Sequence, residues 1–306
     1  MWQVAHQSHA TRALIVGVDD DTLKWTPFPL TVIRRQQALG ARAVRVWVPW
    51  HGEREPTAVR RVELQRAEVA ARKTTVVLAV FGFGAQTPTA AWQQRRFCGY
   101  ARAALDLAPD ARAVVVWNEA NSRTYWRGTP AQYESLLARC YDVLHSRRVL
   151  VLDSTASAHA PVAFIDALAR TYRASGRTAP LVDAFGHNPY PLTATESPGV
   201  HHRGDVLGEA DYRRLVAALR GFGPTPSIWY LEDGFQTDAV TPAQQAHDVA
   251  AAIGMAACQP LVRAFFNFEL VDERRIAGWQ SGLIARGGIA KPAAEAFARA
   301  PRRCRP

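Results

Sequence analysis

Eight short apolar runs rich in valine and isoleucine recur along the chain at fairly regular intervals, each followed by an amphipathic stretch. They are ALIVGVD (13–19), AVRVWVPW (43–50), TVVLAVFG (75–82), AVVVWNE (113–119), VLVLDST (149–155), VDAFGHNPY (182–190), SIWYLED (227–233) and VRAFFNFE (262–269). Continuous apolarity over so few residues marks strands covered on both faces, as in a parallel sheet. Between them, segments such as LTVIRRQQALG, VELQRAEVAARK, PAQYESLLARCYDVLHSRR and EADYRRLVAALRGFG read as helices, with PAQQAHDVAAAIGMAACQP and KPAAEAFARA completing the set. Several open on proline or a capping residue and close near glycine or arginine, as helix ends prefer.

Eight strand–helix units in 306 residues fit one α/β domain, a single (β/α)8 TIM barrel. A doubly wound sheet is the competitor, and it usually carries a glycine-rich phosphate turn after its first strand. Here that turn is DDDTLKWTPFPL, without glycine; GFG at 82–84 is a partial match in the wrong place. No linker, low-complexity tract or internal repeat divides the chain. Residues 1–306 are therefore read as one barrel domain, with 1–12 and 300–306 as terminal extensions.

Composition changes this picture little. An apolar share of 48% and a charged share of 21% are ordinary for a folded globular chain. The formal charge of +10 is almost all arginine, since lysine occurs only at Lys24, Lys73 and Lys291. The arginines are scattered over the predicted helices (Arg34, Arg35, Arg60, Arg61, Arg95, Arg96, Arg213, Arg214) instead of forming a basic block, so nucleic acid is not an expected partner. No apolar run approaches the ~18 residues of a membrane span. WQVAHQSHATRA after Met1 has neither a charged n-region nor an apolar h-region, so no signal peptide is expected in this chain. None of Cys98, Cys140, Cys258 and Cys304 forms a CxxC pair, which argues against zinc. The barrel reading puts Cys98 and Cys140 on neighbouring helices, and Cys258 and Cys304 on another pair. Two disulfides in a secreted or periplasmic protein, and free thiols compatible with the cytoplasm, both stay open.

In such barrels chemistry gathers at the C-terminal strand ends. Strand 1 ends in Asp19, Asp20 and Asp21, and strand 2 carries Arg45, Trp47, Trp50 and His51. Strand 4 ends in Asn118 and Glu119, strand 6 in His187 and Tyr190, strand 7 in Glu232 and Asp233, strand 8 in Asn267, Phe268 and Glu269. Two glutamates thus stand at the tops of strands 4 and 7, nearly opposite in the ring. Paired carboxylates across a cleft are the machinery of glycosidic hydrolysis: one protonates the leaving oxygen, the other attacks or activates water. Adjacent carboxylates of the DDD run point to opposite faces and share one ion poorly, so no metal is expected.

WNEAN at 117–121 and WYLEDGF at 229–235 resemble the strand-4 and strand-7 signatures of the clan A retaining glycoside hydrolases, nearest to families 5 and 39. The resemblance runs from GVDD at 17–20 to WQSGLI at 279–284. It implies Glu119 as general acid/base, Glu232 as nucleophile, Asn118 on the sugar 2-hydroxyl and Arg45 holding the nucleophile ionised. It likewise implies that His187 and Tyr190 orient nucleophile and sugar. This sequence departs from the pattern in three places. Ala120 replaces a proline and is expected to loosen the turn, HNPY spaces His187 and Tyr190 one residue too far, and Phe268 stands where strand 8 often ends in tryptophan.

The same residues have plainer readings. Glu119 alone would be a solvated loop residue, Arg45 a structural ion pair, and His187 a satisfied core histidine. Of the tryptophans, Trp50 and Trp279 are expected to stack on sugar rings and Trp229 to pack in the core. His201 and His202 fall in the longest irregular segment, PLTATESPGVHHRGDVLGEADY, a candidate lid or subsite wall. The other loops are short, which favours an open groove. The expected activity is retaining hydrolysis of a β-linked saccharide or glycoside, without cofactor, by a monomer whose partner is that oligo- or polysaccharide. A non-catalytic carbohydrate-binding barrel and a transglycosylase are the alternatives.

Overall fold

A computed structural model describes residues 13–146, 148–274 and 278–304. The proposed extension 1–12 and residues 305–306 lie outside them. The strands are β1 (Ile15–Asp19), β2 (Ala43–Pro49), β3 (Thr75–Phe81), β4 (Ala113–Val116), β5 in two segments (Leu150–Leu152 and Thr155–Ala156), β6 (Ala184–Asn188), β7 (Ser227–Asp233) and β8 (Val262–Phe268). All pair in parallel, in the order β5-β4-β3-β2-β1-β8-β7-β6. Leu152 of β5 meets Ala184 of β6, and this closes the ring. The fold is a (β/α)8 barrel, as the eight apolar runs predict.

Helices α1 (Thr22–Trp25), α2 (Pro29–Ala38), α3 (Ala58–Ala71), α4 (Ala91–Leu107), α5 (Pro130–Leu144), α6 (Pro161–Ala174), α7 (Tyr212–Leu219), α8 (Pro242–Ala257) and α9 (Pro292–Arg299) cover the outside. Thr57, Thr129 and Thr241 cap α3, α5 and α8, each hydroxyl accepting a backbone N–H three residues on. With helices outside and side chains filling the ring, the strands are buried on both faces; Val114, Val115 and Val116 have no exposed surface.

Two strands end two or more residues earlier than the apolar pattern predicts, and both early ends matter to the site. β4 stops at Val116, and Trp117 and Glu119 follow with φ of 70° and 39°. β6 stops at Asn188 because Pro189 has no N–H to continue the ladder. Of the two readings of the cysteines, the structure has the disulfides. Cys98–Cys140 joins α4 to α5, and Cys258–Cys304 joins the end of α8 to the segment after α9, with Cα separations of 5.0 and 4.5 Å.

Candidate active site

The C-terminal mouth of the barrel is organised by Arg45. β2 pairs with β1 so that Arg45 lies beside Asp19, and its guanidinium is ion-paired to the Asp19 carboxylate. The same Nη1 stands 2.8 Å from Glu232 Oε1 at the end of β7. Nη2 donates to Asn118 Oδ1 at 3.0 Å. One buried cation on β2 therefore joins the ends of β1, β4 and β7. Its location in an apolar strand is tolerable only because it is paired.

Asn118 and Glu119 sit on a turn held from β5. Ser154, in the interruption between the two segments of β5, donates its hydroxyl to Asn118 Oδ1 at 3.3 Å and accepts the Glu119 N–H at 3.3 Å. The Ser154 carbonyl accepts the Ala120 N–H at 3.0 Å. A proline at 120 could not make that bond, so alanine does not loosen the turn; it ties the turn to β5. Left-handed backbone at two non-glycine residues costs of order 1–3 kcal/mol each and persists where surroundings enforce it. Here the enforcing contacts are those of Ser154 and of the Trp117 indole, which donates to the Tyr125 carbonyl at 2.8 Å. With Asn118 Oδ1 committed to Arg45 and Ser154, its amide N–H is the group left to donate.

The two glutamates differ in their partners. Burial raises the Glu232 carboxyl to about 7; the Arg45 guanidinium opposes this and the charge of Glu119 adds to it. Tyr190 also donates to Glu232 Oε2, at 3.4 Å. Burial raises Glu119 as well, opposed first by the Asn188 amide, which donates to Oε1 at 2.9 Å. Among the described residues no cation stands within ion-pair distance of Glu119. Glu232 thus contacts a guanidinium directly, whereas the nearest polar partner of Glu119 is a neutral amide. Burial, then the charges of Glu232 and Glu119, push the Tyr190 hydroxyl well above the usual range, so it remains a donor.

Of the residues singled out from sequence, Glu119, Glu232, Arg45, Asn118 and Tyr190 converge on this cleft. Trp279 stands at its rim, 38% exposed, with its ring 5.3 Å from Tyr190 and 5.4 Å from Phe268. Two others do not converge. His187 has no exposed surface; Nδ1 meets Thr155 Oγ1 at 3.0 Å and Nε2 meets the Leu207 carbonyl at 2.8 Å. Burial lowers its pKa to about 4, so it is a neutral core histidine without a free nitrogen for sugar. Trp50 is 2% exposed, packs edge-on against Phe97 and Trp117, and donates its indole N–H to the Glu53 carbonyl. Its stacking role is withdrawn because the ring is buried away from the cleft surface.

Three site residues escaped the sequence reading. Asn188 is the β6 partner of the cleft, two residues before Tyr190 and so on the same side of an extended chain, whereas His187 is three before it. Ser154 anchors the Glu119 turn. Tyr125 lies beside Asn118, and its hydroxyl is raised by burial and then by the charges of both glutamates. The rest of the acidic run, beyond Asp19, is structural: Asp20 accepts from Thr22 and Gln36, and Asp21 from the Trp47 N–H and from Lys24. No cluster that could hold a metal ion occurs among the described residues. In the long loop, His202 Nδ1 meets Asp211 at 2.8 Å and Nε2 faces Glu196 at 3.2 Å.

No protein-family profile matches the sequence, and no curated protein matches it. Solved structures do. A family 39 glycoside hydrolase from the gut symbiont Bacteroides cellulosilyticus WH2 superposes with a TM-score of 0.72 at 15% identity over 95% of this chain. This chain spans 64% of that protein's length. A family 5, subfamily 18 glycoside hydrolase from Streptomyces cattleya, in complex with GlcNAc, gives 0.69 at 19% identity, covering 97% of this chain and 83% of that one. An exo-β-1,4-mannosidase from Opitutaceae bacterium strain TAV5 gives 0.66 at 15%, covering 95% and 59%. What these likenesses share with this chain is the (β/α)8 barrel fold.

Proposed function

We propose that the protein is a retaining glycoside hydrolase of clan A that cleaves a β-linked saccharide by double displacement. The observation that carries this reading is the Arg45 guanidinium, which joins Glu232 directly to Asn118, the neighbour of Glu119, and so brings two unlike carboxyls to one cleft.

In the first step the Glu232 carboxylate attacks the anomeric carbon as the glycosidic C–O bond breaks, and the Glu119 proton passes to the departing oxygen. In the second, Glu119, now a carboxylate, takes a proton from water. The water oxygen bonds the anomeric carbon, the ester to Glu232 breaks and the carboxylate returns. Asn118 donates to the sugar 2-hydroxyl, Tyr190 steadies Glu232, Asn188 steadies Glu119, and Trp279 receives the apolar face of the ring. The substrate class follows the structural neighbours. Two further subfamily 18 structures are complexes with Manβ1-4GlcNAc, and others are a β-1,4-mannosidase and fungal β-1,4-galactanases. The two disulfides favour an oxidising, extracellular setting.

The test is a screen of β-glycosides and β-linked polysaccharides with Glu232→Gln as the blank. Turnover should fall by several orders of magnitude in that variant with the fold intact, and the first-formed sugar should keep its anomeric configuration by NMR. Equal turnover in the two proteins, or an inverted product, refutes the proposal.

A further inference from the structure

The GFG segment at 82–84 has no phosphate-turn role, yet its geometry is specific. A Cβ on Gly82 would stand 2.4 Å from the Trp50 carbonyl oxygen, and one on Gly84 2.9 Å from the Arg123 carbonyl oxygen. The chain passes too close to its neighbours for side chains there, and between the two glycines it turns Phe83 outward. Phe83 is 43% exposed. The Gly84 N–H donates to the Thr124 carbonyl at 2.8 Å, which locks this turn to the loop carrying Tyr125. The Phe83 and Tyr125 rings then stack at 5.6 Å and 20°. Trp47 meets Phe83 edge-on at 5.9 Å and stacks on Phe81 at 5.2 Å. Trp47 is itself fixed, its backbone N–H by Asp21 at 2.8 Å and its indole N–H by the Phe81 carbonyl at 3.1 Å.

This aromatic wall belongs to the ends of β2 and β3 and the loop after β4, whereas Trp279, Phe268 and Tyr190 belong to the β6 and β8 side. The catalytic carboxyls connect them: Tyr125 feels the charges of Glu232 and Glu119, and Tyr190 touches Glu232. An exposed aromatic, rigidly held and continuous with a polar cleft, suits a ligand with an apolar face and a hydroxylated edge. We infer that Phe83, backed by Tyr125 and Trp47, is a stacking platform for a second pyranose ring of the substrate, so that the cleft recognises at least two linked sugars. This rests on the glycosidase reading and deepens it.

The experiment compares wild type, Phe83→Ala and Phe83→Trp on β-linked manno-, galacto- and gluco-oligosaccharides of two to six units and on the glycosyl fluoride of the terminal sugar, which carries one ring only. The ratio of kcat/KM for oligosaccharide to that for fluoride should fall about tenfold in Phe83→Ala, which is about 1.4 kcal/mol. Phe83→Trp should restore it. An unchanged ratio overturns the inference while leaving the glycosidase intact. Should no glycoside be turned over, affinity electrophoresis in soluble β-mannan, β-galactan and β-glucan still decides. Retardation of wild type that Phe83→Ala loses supports the platform. Equal migration of the two, or no retardation in any gel, overturns it.

Discussion

Replacing Arg45 with methionine removes the cation shared by Glu232 and Asp19 while keeping an unbranched side chain of similar reach. Two unit charges about 4 Å apart interact by roughly 4 kcal/mol at an effective dielectric of 20, which corresponds to about three pKa units. Glu232, already raised to about 7 by burial, should climb to roughly 10 on that scale. At pH 7 its ionised fraction would then fall from about one half to about one in a thousand, and kcat/KM by about 500-fold. The direction on the pH axis is fixed by sign. The limb that requires ionised Glu232 moves to higher pH, and because Arg45 also lowers Glu119, the limb that requires protonated Glu119 moves the same way. The whole bell should shift alkaline and flatten.

Stability changes as well, because removing one partner of a buried ion pair costs about 3–5 kcal/mol. For a chain of this length that is a Tm drop of about 5–8 °C, so assays belong at 25 °C with circular dichroism confirming the fold. Arg45→Lys is the control: the charge stays but a single ammonium cannot span Glu232 and Asn118, so activity should fall while the bell keeps its position. A folded Arg45→Met enzyme whose pH profile coincides with wild type would refute the assignment of Arg45 as the group that holds the nucleophile ionised.

Other perturbations separate the roles further. In Asn188→Ala the hydrogen bond that lowers Glu119 is lost, so the alkaline limb of kcat/KM should move to higher pH, read from a pH–rate profile. Trp279→Ala should raise KM severalfold with little change in Tm, whereas Trp50→Ala, removing a buried indole, should destabilise by about 3–5 kcal/mol, measured by urea unfolding. Reducing the two disulfides, which close loops of 42 and 46 residues, should lower Tm by about 6 °C per bond in calorimetry on the chain-entropy account.

What the sequence disclosed depended on whether a residue type has one plausible home or two. Valine runs could only be buried strands, and their eightfold recurrence left little but a closed ring. A glutamate or asparagine at the end of such a run has no place in a core, so Glu119, Glu232 and Asn118 announce themselves, as does an arginine inside β2. Tryptophan and histidine have no such single home. Trp50 and Trp279 are indistinguishable in one dimension, because what separates them is Phe97 arriving from α4 and Trp117 from the end of β4. His187 and Asn188 are adjacent in a strand covered on both faces, where the alternation that would say which points to the cleft is erased. Counting back two from Tyr190 identifies Asn188 all the same, since extended chain repeats every second residue and Pro189 keeps the backbone extended before it. The residue three back, His187, is carried to the Thr155 and Leu207 side instead. The left-handed turn at Trp117 and Glu119 has no local signature, because its cause is Ser154 on the next strand. Its conformation is imposed by tertiary contact, and no pattern within residues 113–121 encodes it.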